Sequence, residues 1–125
     1  MKDPDFISLE DALRIHAHQI DVYGGAPGVR NREMLASAIG MARATFAGQF
    51  LHPTLLEMAA ACLFHVAQDH PFVEGNKRAA LAIALVFLEL NGVEIDADDR
   101  ALTDLVRRVA GGKASKSEVA VFLSR

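Results

Sequence analysis

His70-Pro71-Phe72-Val73-Glu74-Gly75-Asn76-Lys77-Arg78 runs without a break into the ten-residue apolar run Ala79–Leu88, and Asn91-Gly92 closes the segment. The run is apolar nearly all round, the pattern of a helix that other helices surround. It predicts a central helix over about 76–90. The residues ahead of it put a base, a carboxylate and a helix start into one short stretch. The first turn of a helix leaves backbone N–H groups unpaired and carries the positive end of the helix dipole, so it attracts anions. Gly75 permits backbone conformations closed to other residues and lets a ligand approach. Asn76 can cap the helix, and Lys77 and Arg78 supply two cations for phosphate oxygens. The stretch reads as a phosphate-handling site with a proton acceptor built in.

Helix signals recur on both sides. Capping boxes, a Ser, Thr or Asp followed three residues later by an acid, stand at Ser8…Asp11, Thr54…Glu57, Asp96…Asp99 and Ser115…Glu118. A first helix is expected over about 8–21, with Leu9, Leu13, Ile15, Ala17 and Ile20 inward, and Gly24-Gly25-Ala26-Pro27-Gly28 ending it. A second is expected over 31–45, with Met34, Leu35, Ala38, Ile39 and Ala42 inward. Residues 46–53 read as a loop or a short helix. A third helix, 55–68, leads into His70. Val93-Glu94-Ile95 reads as a brief extended piece, and helices at 97–109 and 116–123 flank Gly111-Gly112. Among 125 residues there is no repeat, low-complexity tract or linker. The expected architecture is all-α: one domain, 1–125, a compact bundle of about six helices around a central apolar helix.

Two segments together resemble the Fic/Doc family. His70-Pro71-Phe72-Val73-Glu74-Gly75-Asn76-Lys77-Arg78 is similar to its active-site loop, His-x-Phe-x-Asp/Glu-Gly-Asn-x-Arg. Tyr23-Gly24-Gly25-Ala26-Pro27-Gly28-Val29-Arg30-Asn31 resembles the loop after the first helix in the Doc ("death on curing") branch. The resemblance spans Ser8 to about Leu123 and implies the same helical bundle. It also implies that His70 accepts the proton of a target hydroxyl, that Glu74 holds Mg²⁺, and that Gly75, Asn76, Lys77 and Arg78 bind the phosphates of ATP. Lys77 discriminates within the family. Members that transfer AMP usually carry Gly-Asn-Gly-Arg and a further Arg, whereas this chain has Lys77 and, at the later position, Leu81. The Doc branch shares the Lys. For that branch the resemblance implies phosphate transfer from inverted ATP to a protein hydroxyl, a threonine of elongation factor Tu, with arrest of translation. AMP transfer and a catalytically silent binding module are the alternatives. The latter is favoured by Ala79 and Ala82, in a stretch that lacks the polar residues expected after Lys-Arg, and by the missing further Arg; Gln68 also departs from the pattern, where an additional cation can occur.

Each of these residues also has a plainer reading. His70 read alone is a loop histidine between an Asp and a Pro. Glu74 complements a helix dipole, and Asn76 caps. Arg78 at the positive end of a helix costs a little stability unless an anion joins it. Phe72 is a wedge into the core, and Pro71 stiffens the loop. His16 and His18, two apart on a helix, point apart and make poor joint metal ligands. His65 reads as a core histidine and His52-Pro53 as a turn.

Composition narrows the classes. A single Cys, Cys62, excludes an internal disulfide and sits in the apolar run 58–66, where an inert thiol is expected. The acidic start, Met1–Asp5, lacks the apolar core of a secretory signal, so a cytoplasmic location is expected. The longest apolar run is too short for a bilayer, so no membrane association is expected. A net charge of −3 gives no overall reason to bind nucleic acid directly. Residues 100–125 carry six Lys/Arg against two Asp/Glu. They read as a solvated basic face or as a docking surface for an acidic segment. The self-inhibitory string of some Fic proteins, Ser/Thr-x-x-x-Glu-Gly/Asn, is absent from the sequence. Control by an antitoxin is therefore expected, its disordered tail folding as a helix into an apolar groove near the active site.

Overall fold

In the computed structural model, which describes residues 3–125, six helices account for most of the chain: α1 (Leu9–Tyr23), α2 (Arg32–Gly40), α3 (Leu55–Asp69), α4 (Asn76–Leu90), α5 (Asp99–Ala110) and α6 (Lys116–Leu123). The expected all-α bundle is what the chain forms. Two capping boxes close as their spacing predicts. Ser8 accepts from the Asp11 amide while Asp11 returns a bond to the Ser8 amide, and Ser115 and Glu118 do the same. Thr54 caps α3 through the Glu57 amide, without the reciprocal bond. The box predicted at Asp96…Asp99 does not form. Asp98 is the cap instead, accepting from the Ala101 amide at 2.7 Å.

The second predicted helix stops early. After Gly40 the backbone tightens into a 3-10 turn, Met41–Arg43, and then forms a small antiparallel hairpin, β1 (Thr45–Phe46) with β2 (Gln49–Phe50). The segment expected as a loop or short helix is thus a hairpin. Ala47 and Gly48, both at positive φ, make its turn. Val93-Glu94-Ile95 pairs with no strand among the described residues; Val93 and Ile95 pack against the core edge.

The central position is shared. α3 buries Met58–Leu63, Val66 and Ala67 and is packed upon by α2, α4, α5 and α6. α4 buries Ala79, Ala80, Ile83, Ala84, Phe87 and Leu88 against α1, α3 and α5. Small Ala side chains on both helices allow this close approach, with Phe87, Leu63 and Ile83 filling the space between layers. The stripe of α1 differs from expectation at three places: Ala17 is exposed, while Ala12 and His16 turn inward. No helix among the described residues is long and apolar enough to cross a membrane. The α3–α4 pair matters most for the site, because the turn between these helices carries residues 70–75.

Candidate active site

The chain leaves α3 by a sharp reversal at His70, which takes a left-handed conformation, φ 52° and ψ 56°. A β-carbon in that region is unfavourable by roughly 1–2 kcal/mol, so neighbouring contacts must hold it there. Arg30 supplies them. Its Nε and one terminal nitrogen donate to the His70 carbonyl at 2.9 and 2.6 Å, and that terminal nitrogen also donates to the Asp69 carbonyl at 3.0 Å. These carbonyls end α3, where unpaired acceptors and the negative end of the dipole favour a cation. The His70 side chain is left exposed beside the loop.

The next residues are fastened to the loop after α1. The Pro71 carbonyl accepts from the amides of Arg30 (2.8 Å) and Asn31 (3.1 Å), and the Val73 amide donates to Gly28. Val29 and Phe72 form an antiparallel bridge. The two segments that carry the family resemblance are therefore one structural unit. Phe72 is buried, as a wedge should be, and its ring lies flat on the imidazole of His16, centroids 3.8 Å apart and planes 3° from parallel. His16 Nε2 sits 2.8 Å from the Glu74 carbonyl oxygen.

Asn76 corrects an expectation. Gly75, left-handed at φ 77°, is the residue before the helix, and Asn76 is its first helical residue. The Asn76 side chain does not cap. Its Oδ1 accepts from the Phe72 amide at 2.9 Å and its Nδ2 donates to the Phe72 carbonyl at 3.0 Å, clasping the turn. The unpaired amides at the start of α4 consequently receive no side-chain cap. They remain donors at the positive end of the dipole, beside Gly75.

A cradle of small residues borders that helix start. A β-carbon placed on Gly25 (φ 113°) would meet Ile20 Cδ1 at 3.2 Å, a Glu74 carboxylate oxygen at 3.3 Å and Arg78 Nη2 at 3.4 Å. One placed on Gly75 would meet Ile20 Cδ1 at 3.2 Å, with Arg78 Nη2 and His16 Nε2 at 3.6 Å. Glu74, Arg78 and the start of α4 thus face one small space, and only glycine leaves it open. Arg78 donates to the Gly24 carbonyl at 2.9 Å and lies 5.6 Å from the Tyr23 ring centre. These two contacts aim the guanidinium while leaving other N–H groups free. Lys77 is exposed and, with Arg78, lines a cavity of about 500 Å³ between α1, α4 and α5. Tyr23, Leu81, Leu85, Leu102 and Val106 form much of its remaining wall.

The donor set suits Mg²⁺ in a particular way. Among the described residues no group of three or more His, Cys, Asp or Glu could hold a metal by itself. Mg²⁺ needs no such cage, since it binds through one or two carboxylates together with phosphates and water. Glu74, exposed beside Arg78, fits that role.

Cys62 is buried, its Sγ 3.7 Å from the Ile39 carbonyl, and burial pushes its thiol up to about 12. His65 is half-buried on α3, edge-on to Phe64, and Gln68 ties α3 to the Val109 carbonyl. His52 and His65 are both held below the ordinary imidazole value, first by burial and then by the charge of Lys116. His18 is exposed and His16 buried, so they do not act together.

The fold and loop define a class: an all-α domain that assembles a cationic, glycine-lined space at the start of a buried helix. The chain belongs to the Fic/DOC family, whose model matches residues 6–88. It is 38% identical over 119 residues to the protein kinase doc of Escherichia phage P1, covering 95% of this chain and 93% of that one. It is 39% identical over 123 residues to the toxin Doc of Mycolicibacterium smegmatis, covering 96% and 92%.

Proposed function

We propose that this protein is the toxin of a toxin–antitoxin pair and transfers the γ-phosphate of ATP to a hydroxyl of a protein. The observation that carries the proposal is the glycine-lined space where Glu74, Arg78 and the uncapped start of α4 converge. Its near-full-length similarity to a protein kinase doc and a toxin Doc supports the reading. Lys77 supports γ- over α-phosphate transfer, because a long cation stands where AMP-transferring members usually have glycine. The proposed target is a threonine of elongation factor Tu, and the proposed location is the cytoplasm.

In this reading His70 takes the proton of the attacking hydroxyl. The hydroxyl oxygen forms a bond to the γ-phosphorus, the bond from that phosphorus to the bridging oxygen breaks, and ADP leaves. Glu74 would hold Mg²⁺, which would supply positive charge to the phosphate oxygens. Arg78, Lys77 and the free amides after Gly75 hold the remaining oxygens. Asn76 serves the site from behind, through its clasp on Phe72. Arg30 fixes the backbone that aims His70.

The proposed partner is an antitoxin whose disordered tail folds as a helix into the apolar groove walled by Leu81, Leu85, Leu102 and Val106. Its place next to Lys77 and Arg78 lets one occupant cover both groove and site. Expressing the chain alone should stop growth, and His70→Ala should restore it. Continued growth with wild-type protein at full expression would contradict the toxin reading. Calorimetry with Mg²⁺ and ATP separates an enzyme from a silent binding module, which the absence of binding at millimolar nucleotide would favour.

A further inference from the structure

Buried histidines are uncommon and need a partner for a ring nitrogen. His16 is only 3% exposed and sits on α1, outside both loops that carry the family resemblance. Its two contacts fall on one short turn of the other loop. The ring covers Phe72 face to face at 3.8 Å, and Nε2 lies 2.8 Å from the Glu74 carbonyl. A carbonyl oxygen only accepts, so Nε2 carries the proton and donates. This bond turns the Glu74 carbonyl inward, toward α1. With the carbonyl directed in, the Glu74 carboxylate and the start of α4 are left on the cradle side, against Gly25 and Arg78.

We propose that His16 is a positioning residue of the phosphate site, fixing the Phe72–Gly75 turn so that Glu74 and the first amides of α4 face a common ligand. The inference rests on the reading of that space as a phosphate and Mg²⁺ site. Ile20, one helical turn beyond His16, reinforces the arrangement: its Cδ1 lies 3.2 Å from the β-carbon position of both Gly25 and Gly75. One face of α1 is therefore the floor of the cradle. Groups that orient a metal-holding or reacting residue typically matter by ~10-fold to ~100-fold in affinity or rate.

The two contacts can be separated by substitution. His16→Phe keeps a flat ring on Phe72 but leaves the Glu74 carbonyl without a donor. His16→Gln keeps an N–H donor and loses the stack. Both variants and wild type would be compared by transfer rate, by the Mg²⁺ concentration giving half-maximal rate, and by hydrogen exchange at the amides of residues 72–78. His16→Phe should slow transfer and raise the Mg²⁺ requirement by at least ~10-fold, with faster exchange in the turn; His16→Gln should recover most of each. A folded His16→Phe protein with unchanged rate, Mg²⁺ dependence and exchange would overturn the proposal. If wild type transfers no phosphate, the functional reading fails separately, and positioning is decided by exchange alone. Should His16→Phe not fold, nitrogen–proton correlation spectra of the native imidazole decide the geometry. A slowly exchanging proton on Nε2 is expected, and an unprotonated Nε2 would overturn it.

Discussion

Replacing Arg30 by Ala removes, in one change, the two hydrogen bonds to the His70 carbonyl and the one to the Asp69 carbonyl. The main-chain bonds from residues 30 and 31 to Pro71 survive, so the two loops stay joined. What is lost is the clamp on a left-handed histidine at the end of α3. Because Arg30 is exposed, water re-solvates the freed carbonyls, and each bond counts for well under its buried worth. Adding a favourable charge at a helix C-terminus, the expected destabilisation is about 1–2 kcal/mol. For a chain of this length that corresponds to a melting temperature lower by roughly 4–8 °C. Transfer should fall further than stability does, since misplacing a reacting group by about 1 Å can cost ~10²-fold. Arg30→Lys keeps the charge without the planar fork and should fall between. The mechanism has its own control in His70→Gly, where glycine adopts the left-handed conformation freely. If Arg30 acts by holding that conformation, Arg30→Ala should cost about 1 kcal/mol less in the His70→Gly background. Thermal melts of the four proteins, with transfer assays on those retaining His70, make the test. Unchanged melting and transfer in Arg30→Ala, or strict additivity in the double variant, would refute the reasoning.

Gly25→Ala should weaken ATP binding by at least ~10-fold by crowding Glu74 and Arg78, whereas Gly48→Ala, also at positive φ but with nothing within 4 Å, should cost only ~1 kcal/mol of stability and no binding; calorimetry and melting on both variants distinguish crowding from strain. Stability should fall with acidity from about pH 6.5 downward. The unfolded chain protonates His52 and His65 at their ordinary value, while burial and then Lys116 hold both lower in the folded protein. The loss is complete once pH passes below the lowered folded values. Denaturant titrations across that range should show the slope, and His65→Gln should flatten it. The Cys62 thiol, pushed up to about 12 by burial, should resist iodoacetamide in native buffer and react once the chain is unfolded.

Most of the site was legible because its residues are contiguous. His70 to Gly75 form one turn and Asn76 to Arg78 open the helix that follows it, so their proximity follows from the chain itself. What the turn leans on was not. Arg30 meets His70 from forty positions away, and His16 meets Glu74 from fifty-eight; nothing in a single sequence pairs them. A signal for His16 existed, since it completes the helical stripe Leu9, Leu13, His16, Ile20, where the expected Ala17 points outward. Asn76 misled by one residue, because a left-handed Gly75 takes the preceding position and frees the amide side chain to clasp Phe72. Local competition explains the errors of boundary. Asp96 has the box spacing and Asp98 does not, yet it is the oxygen of Asp98 that reaches an amide of α5. Ala42 and Ala44 are good helix formers, yet the chain turns away into a hairpin too short for any alternation of side chains to announce.

The central claim is that His70 promotes transfer of the γ-phosphate to a protein hydroxyl. The most direct measurement incubates the protein with Mg²⁺, purified elongation factor Tu and ATP labelled at either the γ- or the α-phosphorus. The account predicts label on the factor from γ-labelled ATP alone, at a rate at least ~10²-fold lower with His70→Ala. Label from α-labelled ATP, or γ-transfer that His70→Ala leaves intact, would contradict it.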